Sequence, residues 1–444
     1  MIRADDSKAR LLAGRHGVPL CDAILRALQN SFADHGPVPT VLAICPNSET
    51  VVKAAVRAAK EARVPLFFAA TLNQVDLDGG YTGWTQQQFV RLVHELADEV
   101  GYPGPTVVGL DHGGPWLKDI QTREGWSLDH AMQGVKDSLA ACLDAGYDLL
   151  HVDPTVDRTL PKGQPMPIEI VIERTLELIG FAESHRRENG LPPVSYEVGT
   201  EEVHGGLADM GVFRRFLGGL KSGLNEWGLS DVWPCFVVGK VGTDLHTTEF
   251  DPAVARQLAE VAAAFGSAIK GHYTDSVSNP EAYPEAGMGG ANVGPEFTEA
   301  EYEALKRLAR RESELSVGCR VAEQSHMMEA LKAAVIASGR WEKWRQPGEE
   351  GRAFEALSAE RQEWLVRTGC RYIWAEPEVV DARRRLYANL ATAGEKGEEV
   401  VLDAVAAVMG KYYRAFRLEG SVRRIDEALA RGNGIPPMNA DRGG

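Results

Sequence analysis

Asp111 and His112 stand side by side in GLDHGGPW, directly after the apolar run TVVGL. A carboxylate and an imidazole in that position can divide their roles, one ligating a metal ion and the other carrying a proton. The pattern recurs. His151 and Asp153 close the run LLHVD, and Glu197, Glu201, Glu202 and His204 surround the end of PVSYEVG. Asp244 and His246 follow WPCFVVG, and His272, Thr274 and Asp275 follow SAIKG. Asn73 and Gln74 follow VPLFFAA, and Asn292 sits within GANVG. Five of the eleven histidines therefore lie at or just beyond the ends of apolar runs. One such histidine is more often a hydrogen-bonded loop residue; their number is what points to a shared site. Together they can converge on one divalent cation, which would polarise a carbonyl or stabilise an enolate.

The elements that must position these residues are eight short apolar runs, beginning with TVLAI (40–44) and ending with GANVG (290–294). Most alternate with stretches of helical spacing: 48–61 behind Ser48 as N-cap, 85–100, 128–145, 168–188, 213–227, and 252–265 with proline in the first turn. Continuous apolar runs suit strands buried on both faces, as in a parallel sheet. Eight such units predict a (β/α)8 TIM barrel, whose chemistry sits at the C-terminal strand ends. A doubly wound open sheet gives no reason for eight. The seventh unit, SVSNPEAYPEAGMGG, holds too much proline and glycine for a full helix. From about Val317 the pattern is helical only: 322–338, 358–367, 378–390 and 398–417, with QPGEEG as a linker. The expected organisation is a leading helical segment over 1–37 (with a helix at 20–32), a barrel over 38–315, and an added helical C-terminal region over 316–444.

Composition narrows the function. With 48 basic and 63 acidic residues the formal net charge is −15, which opposes nucleic-acid binding. A hydrophobic fraction of 44% and a charged fraction of 25% describe a folded globular chain. No apolar run is long enough to span a membrane, and MIRADDSKARLLAGRHG lacks the apolar core of a signal peptide. Six cysteines without a CxxC pair read as reduced, mostly buried thiols, so a cytoplasmic location is expected. There is no GxxxxGK[ST] loop for a kinase and no GxSxG elbow. The glycines of GLDHGGP serve either a close ligand approach or a tight strand-to-loop turn. NQVDLDGGYTGWT either covers the site or is a surface loop. The Trp341–Trp344 segment reads as packing.

NQVDLDGGYTGWT, GLDHGGPW, LLHVDPT, YEVGTEE, the stretch 240–252 and GHYTD resemble, in that order, the GatZ/KbaZ family over residues 40–430. Its members are known as second, non-catalytic subunits of class II D-tagatose-1,6-bisphosphate aldolase, and they are similar to the metal-dependent class II aldolases. The resemblance implies a barrel of the class II aldolase type and a homo-oligomer. It implies Asp111 as proton carrier, and His112, Glu201, His246 and His272 as ligands of a divalent metal ion such as Zn or Mn, with Glu201 also catalytic and Glu202 or His204 as its alternatives. Asn73, Gln74, Asp153, Thr274, Asp275 and Asn292 are the implied substrate contacts. One departure is the loop HYTDSVSN, where class II aldolases carry a Gly-rich, serine-containing phosphate loop. Asp275 puts a negative charge there unless Lys270 or another cation offsets it. Relatives include C4-epimerases of tagatose 6-phosphate and fructose 6-phosphate, so two roles are implied. One is epimerisation of a sugar or sugar phosphate by retro-aldol chemistry, and the other is stabilisation of a separate class II aldolase catalytic subunit.

Overall fold

A computed structural model describes residues 7–32, 36–161, 164, 166–199, 209–243, 249–317 and 323–431. All eight apolar runs form strands: β1 (Val41–Ile44), β2 (Leu66–Thr71), β3 (Thr106–Gly113), β4 (Leu149–Val152), β5 (Ser195–Gly199), β6 (Phe236–Val238), β7 (Ala268–Gly271) and β8 (Met288–Val293). Each pairs in parallel with its neighbours in sequence, and β1 pairs with β8, so the sheet closes into a TIM barrel.

The N-terminal helices are α1 (Lys8–Arg15) and α2 (Leu20–Phe32). The barrel helices are α3 (Glu49–Ala62), α4 (Gln86–Val100), α5 (Asp119–Arg123), α6 (Leu128–Ala145), α7 (Ile168–Glu188), α8 (Met210–Glu226), α9 (Pro252–Phe265), α10 (Ala282–Glu285) and α11 (Pro295–Val317). Local chemistry sets their ends. Ser48 Oγ accepts the Val51 N–H at 3.0 Å to start α3, and Thr85 with Gln88 forms a capping box on α4. Asp251 caps α9, with Pro252 in its first turn. Only four residues of α10 are helical, as its prolines and glycines require.

The N-terminal segment closes the barrel floor. Ile24, Leu25 and Leu28 of α2 pack against the inward residues Val41, Phe67, Val107, Leu149 and Phe236. Asp22 fixes this plug through its carboxylate, which accepts from Ser195 Oγ at 2.6 Å.

Beyond the barrel come α12 (Met327–Ser338), α13 (Ala359–Gly369), α14 (Pro377–Ala391), α15 (Gly397–Ala415) and α16 (Ser421–Ala430). α12 to α14 build a second apolar cluster on α11, through Leu305, Leu331, Val335, Leu365 and Leu386. Each buried leucine contributes roughly 1.5–3 kcal/mol, enough in sum to fix this layer on the barrel. α15 packs on α3 and α11, and α16 on α2. The consequence for function is that two short 3-10 segments, Arg340–Trp344 and Cys370–Tyr372, carry side chains to the C-terminal mouth of the barrel. Among the described residues no helix is long and apolar enough to cross a membrane.

Candidate metal centre at the strand ends

Alternation along a strand puts every second side chain inside the barrel. The inward residues climb from apolar at the α2 end to polar at the mouth: Val107 to Asp111 on β3, Leu149 through His151 to Asp153 on β4. Glu197 of β5, Lys270 of β7 with His272 just beyond its end, and Asn292 of β8 complete the polar layer, all buried.

Asp111, His112, His151 and His272 each offer one ligand atom, and these atoms lie within 4.8 Å of one another. Asp111 Oδ1 is the hub. It lies 3.2 Å from His151 Nδ1, 3.7 Å from His272 Nε2 and 3.9 Å from His112 Nε2. Two bonds of about 2.1 Å to one ion span up to about 4.2 Å, so these separations suit a shared cation. The His112 and His272 imidazoles, with the Asp111 carboxylate beside them, are donors of the kind that zinc and similar divalent ions take. The residues present could therefore hold a divalent metal ion.

Further hydrogen bonds orient the donors. His112 Nδ1 donates to Asp153 Oδ2 at 2.6 Å, which leaves Nε2 as the nitrogen facing Asp111. His272 Nε2, the nitrogen nearest Asp111, donates to Glu197 Oε1 at 3.0 Å, so ligation there would displace that proton; the other Glu197 oxygen takes the buried Lys270 ammonium at 2.5 Å. Asn292 Nδ2 donates to Asp111 Oδ2 at 3.1 Å. His112 sits at φ 53°, a left-handed conformation that a non-glycine residue adopts only under local constraint. Its backbone N–H donates to His151 Nδ1 at 3.0 Å.

The charges follow from this packing. Burial alone would raise the Asp111 carboxyl, but the His112, His272 and His151 imidazoles and the Lys270 ammonium around it hold it well below the usual range. Burial likewise opposes ionisation of Glu197, and the Lys270 charge outweighs it, bringing the acid down to about 2. Burial keeps the His272 imidazole below its ordinary value, which favours the neutral form that a metal needs.

Two glycine-bearing motifs find their reasons. A Cβ on Gly114 would lie 1.7 Å from the Asp153 carbonyl oxygen, so the GLDHGGP glycines serve the close approach of β3 to β4. At Gly80, φ is 54° and a Cβ would lie 2.3 Å from the Gln74 oxygen. This folds NQVDLDGGYTGWT back onto itself and sets Asn73, Gln74 and Tyr81 on the wall of the cavity above the metal donors.

That cavity, about 250 Å³, also meets Asp111, His112, His272, Asp275 and Asn292. Asp153 stands behind His112 instead of on the wall. Thr274 is buried, its hydroxyl bonded to Tyr283 and its carbonyl to Tyr412. Asn73 bridges two loops, donating to the Leu117 carbonyl and accepting from the Asp119 N–H, both at 2.9 Å. Lys270 does not offset Asp275; it is committed to Glu197. The expected ligands Glu201 and His246 lie outside the described residues, as do Glu202, His204 and Asp244. His151, Glu197 and Lys270 were not among the assigned site residues. Their signal was present as charged or polar residues inside apolar runs, in phase with His272 or Asp153. In a parallel barrel such a position points inward and must find a partner. Trp341 does pack, against Phe354, yet its neighbours Arg340 and Lys343 reach the cavity.

The sequence profile of the family described as D-tagatose-1,6-bisphosphate aldolase subunit GatZ/KbaZ-like matches residues 28–424. Among solved structures, the chain is similar to a probable tagatose 6 phosphate kinase from Sinorhizobium meliloti, at 23% identity and a TM-score of 0.68, over 85% of this chain and 100% of the other. It is also similar to the fructose-bisphosphate aldolase of Campylobacter jejuni, at 12% identity and a TM-score of 0.52, over 93% and 95% of the two chains. At these identities the two structures speak for the fold.

Proposed function

Because the chain belongs to the GatZ/KbaZ-like family of D-tagatose-1,6-bisphosphate aldolase subunits, we propose that it is a metal-dependent C4-epimerase of ketohexose phosphates, of the tagatose 6-phosphate/fructose 6-phosphate type. The observation that carries this reading is the position of Asp111: a buried, ionised carboxylate in contact with three imidazoles on the floor of one small cavity. A divalent cation bound there would supply Lewis acidity towards the carbonyl and adjacent hydroxyl oxygens of a ketose.

The chain's own groups do the rest. His112 and His272 are the described residues assigned to hold the ion, with His246 and Glu201 as further expected ligands. Asp111 takes the C4 hydroxyl proton while the C3–C4 bond breaks, its electron pair remaining on C3 and C4 becoming an aldehyde carbon. The cavity retains the aldehyde. Addition of C3 to its opposite face reforms the bond, Asp111 returns the proton, and C4 is inverted. Asn292 holds the Asp111 carboxylate in place for both transfers.

The test is metal analysis of the purified protein, followed by incubation with fructose 6-phosphate and with tagatose 6-phosphate. Interconversion of the two, abolished by chelation, supports the reading. The family's description as an aldolase subunit favours a second one, a stabilising partner of a class II aldolase catalytic subunit. A protein that converts neither sugar phosphate yet activates a co-expressed catalytic subunit has that role.

A further inference from the structure

Resting on the epimerase reading, we infer that the substrate is a ketose with an oxyanion at its far end, and that a cationic wall from the C-terminal helices holds that oxyanion: Arg371, with Arg340 and Lys343.

Barrels of this fold commonly bind phosphate at loops after the seventh and eighth strands and at a helix N-terminus there. Here that place is filled by the protein itself. Asp275 Oδ1 accepts the backbone N–H of Gly294 at 2.9 Å and of Glu296 at 2.8 Å, at the start of α11. The residue between them is Pro295, which has no N–H to offer. An incoming phosphate would find the amide donors engaged and a carboxylate in front of them.

The positive charge on the cavity comes from the C-terminal helical region. Arg371 is half-buried on the cavity wall, with its guanidinium 5.1 Å over the Trp344 ring and its Nε bonded to the Thr368 carbonyl at 2.9 Å. No carboxylate among the described residues forms an ion pair with it, so the terminal nitrogens of its fork are available for a bidentate oxyanion. The Arg340 guanidinium lies against the rings of Tyr372 and Tyr81, 4.8 and 5.2 Å from their centroids. Lys343 Nζ reaches both Asp119 oxygens at 2.7 Å, and Arg340 lies 3.4 Å from the same carboxylate. At this rim three cations face one carboxylate. The other acids on the cavity are engaged as well, Asp111 by imidazoles and Asp275 by backbone amides and the charge of Arg371. The cavity is thus polarised, with metal donors at its floor and an excess of positive charge at its rim. A molecule that chelates at one end and carries an oxyanion at the other matches both.

The oxyanion can be a phosphate or a carboxylate, and equilibrium binding separates them. Affinities of the full-length protein are measured for fructose 6-phosphate, for a ketose with a C6 carboxylate, and for free fructose. The wild type is expected to prefer one or both charged ketoses to the free sugar; the tighter of the two identifies the anion. Arg371→Met should cut that preference by about tenfold to a hundredfold, the scale of a charge-assisted bidentate contact. Arg371→Lys keeps the charge without the fork and should lose about threefold or more, as should Lys343→Gln at its half-exposed position. These two carry the test if Arg371→Met fails to fold. A wild-type protein without preference for a charged ketose, or variants with an unchanged preference, would overturn the inference. Arg371-dependent binding without turnover sinks the epimerase reading alone. Turnover of free ketose with no charge preference sinks the rim subsite alone.

Discussion

The backbone N–H of His112 donates to the imidazole Nδ1 of His151, 3.0 Å away, across the gap between the ends of β3 and β4. The bond holds His112 at φ 53°, and that conformation turns its ring to the cavity while Asp153 fixes the ring's tautomer. His151 and Asp153 therefore control how His112 is presented. His151→Leu and Asp153→Asn should each weaken cation binding by about tenfold to a hundredfold, the usual cost of losing support to a metal ligand. Competition with a chromophoric chelator measures this without any substrate. Wild-type affinity in both variants would contradict the arrangement.

Asp111→Asn preserves the side chain's shape and leaves His112 and His272 in place, so bound metal should be retained. An amide cannot cycle a proton at neutral pH, and turnover should fall by about 10²–10⁴. In heavy water the wild-type product should carry no deuterium at C4, because bond cleavage changes the face of the aldehyde carbon and never removes its hydrogen. Mass spectrometry of the product reads this. Solvent deuterium at C4 would require a deprotonation route instead.

Lys270 and Glu197 form an ion pair that is almost wholly excluded from solvent. Lys270→Met leaves Glu197 charged and without its ammonium, and should destabilise the fold by about 3–5 kcal/mol. The double variant Lys270→Met, Glu197→Gln should recover much of that loss, since no unpaired charge remains. Urea unfolding of the four proteins in this cycle gives the coupling directly. Additive losses would mean that the two groups act independently.

Asp22, in the floor plug, is pushed up from an ordinary 3.8 to about 6, chiefly by burial, with Ser195 and Arg26 opposing. A raised folded-state value means that the folded protein binds the proton more tightly than the unfolded chain. Its contribution is fully present below about pH 4 and is lost as pH rises through about 6. The loss amounts to as much as about 3 kcal/mol. Asp22→Asn should therefore gain stability relative to wild type between pH 4.5 and pH 7.5, seen as a rising difference in melting temperature. A flat difference would place the Asp22 carboxyl in a solvated environment.

Local chemistry wrote much of this protein directly into its sequence. Eight apolar runs separated by capped helices leave a closed parallel barrel as the economical arrangement, and the bounds of α2, α6, α7 and α9 follow from apolar spacing and end residues. That Asp111, His112 and His272 come together was legible because strand ends in such a barrel share one mouth. Tertiary structure decided what depends on distance between remote segments. It made His151 a partner of His112 and Asp111, although 39 and 40 residues separate them in the chain. It paired Lys270 with Glu197 instead of Asp275, because alternation turned both side chains into the same buried layer, where an unpaired charge is costly. It also brought Arg340, Lys343 and Arg371 to the cavity from a region whose sequence shows only helices and a tryptophan-rich turn. Periodicity reports which face of a helix is buried; which neighbour covers that face, and whose charges then meet across a cavity, is set by packing between segments hundreds of residues apart.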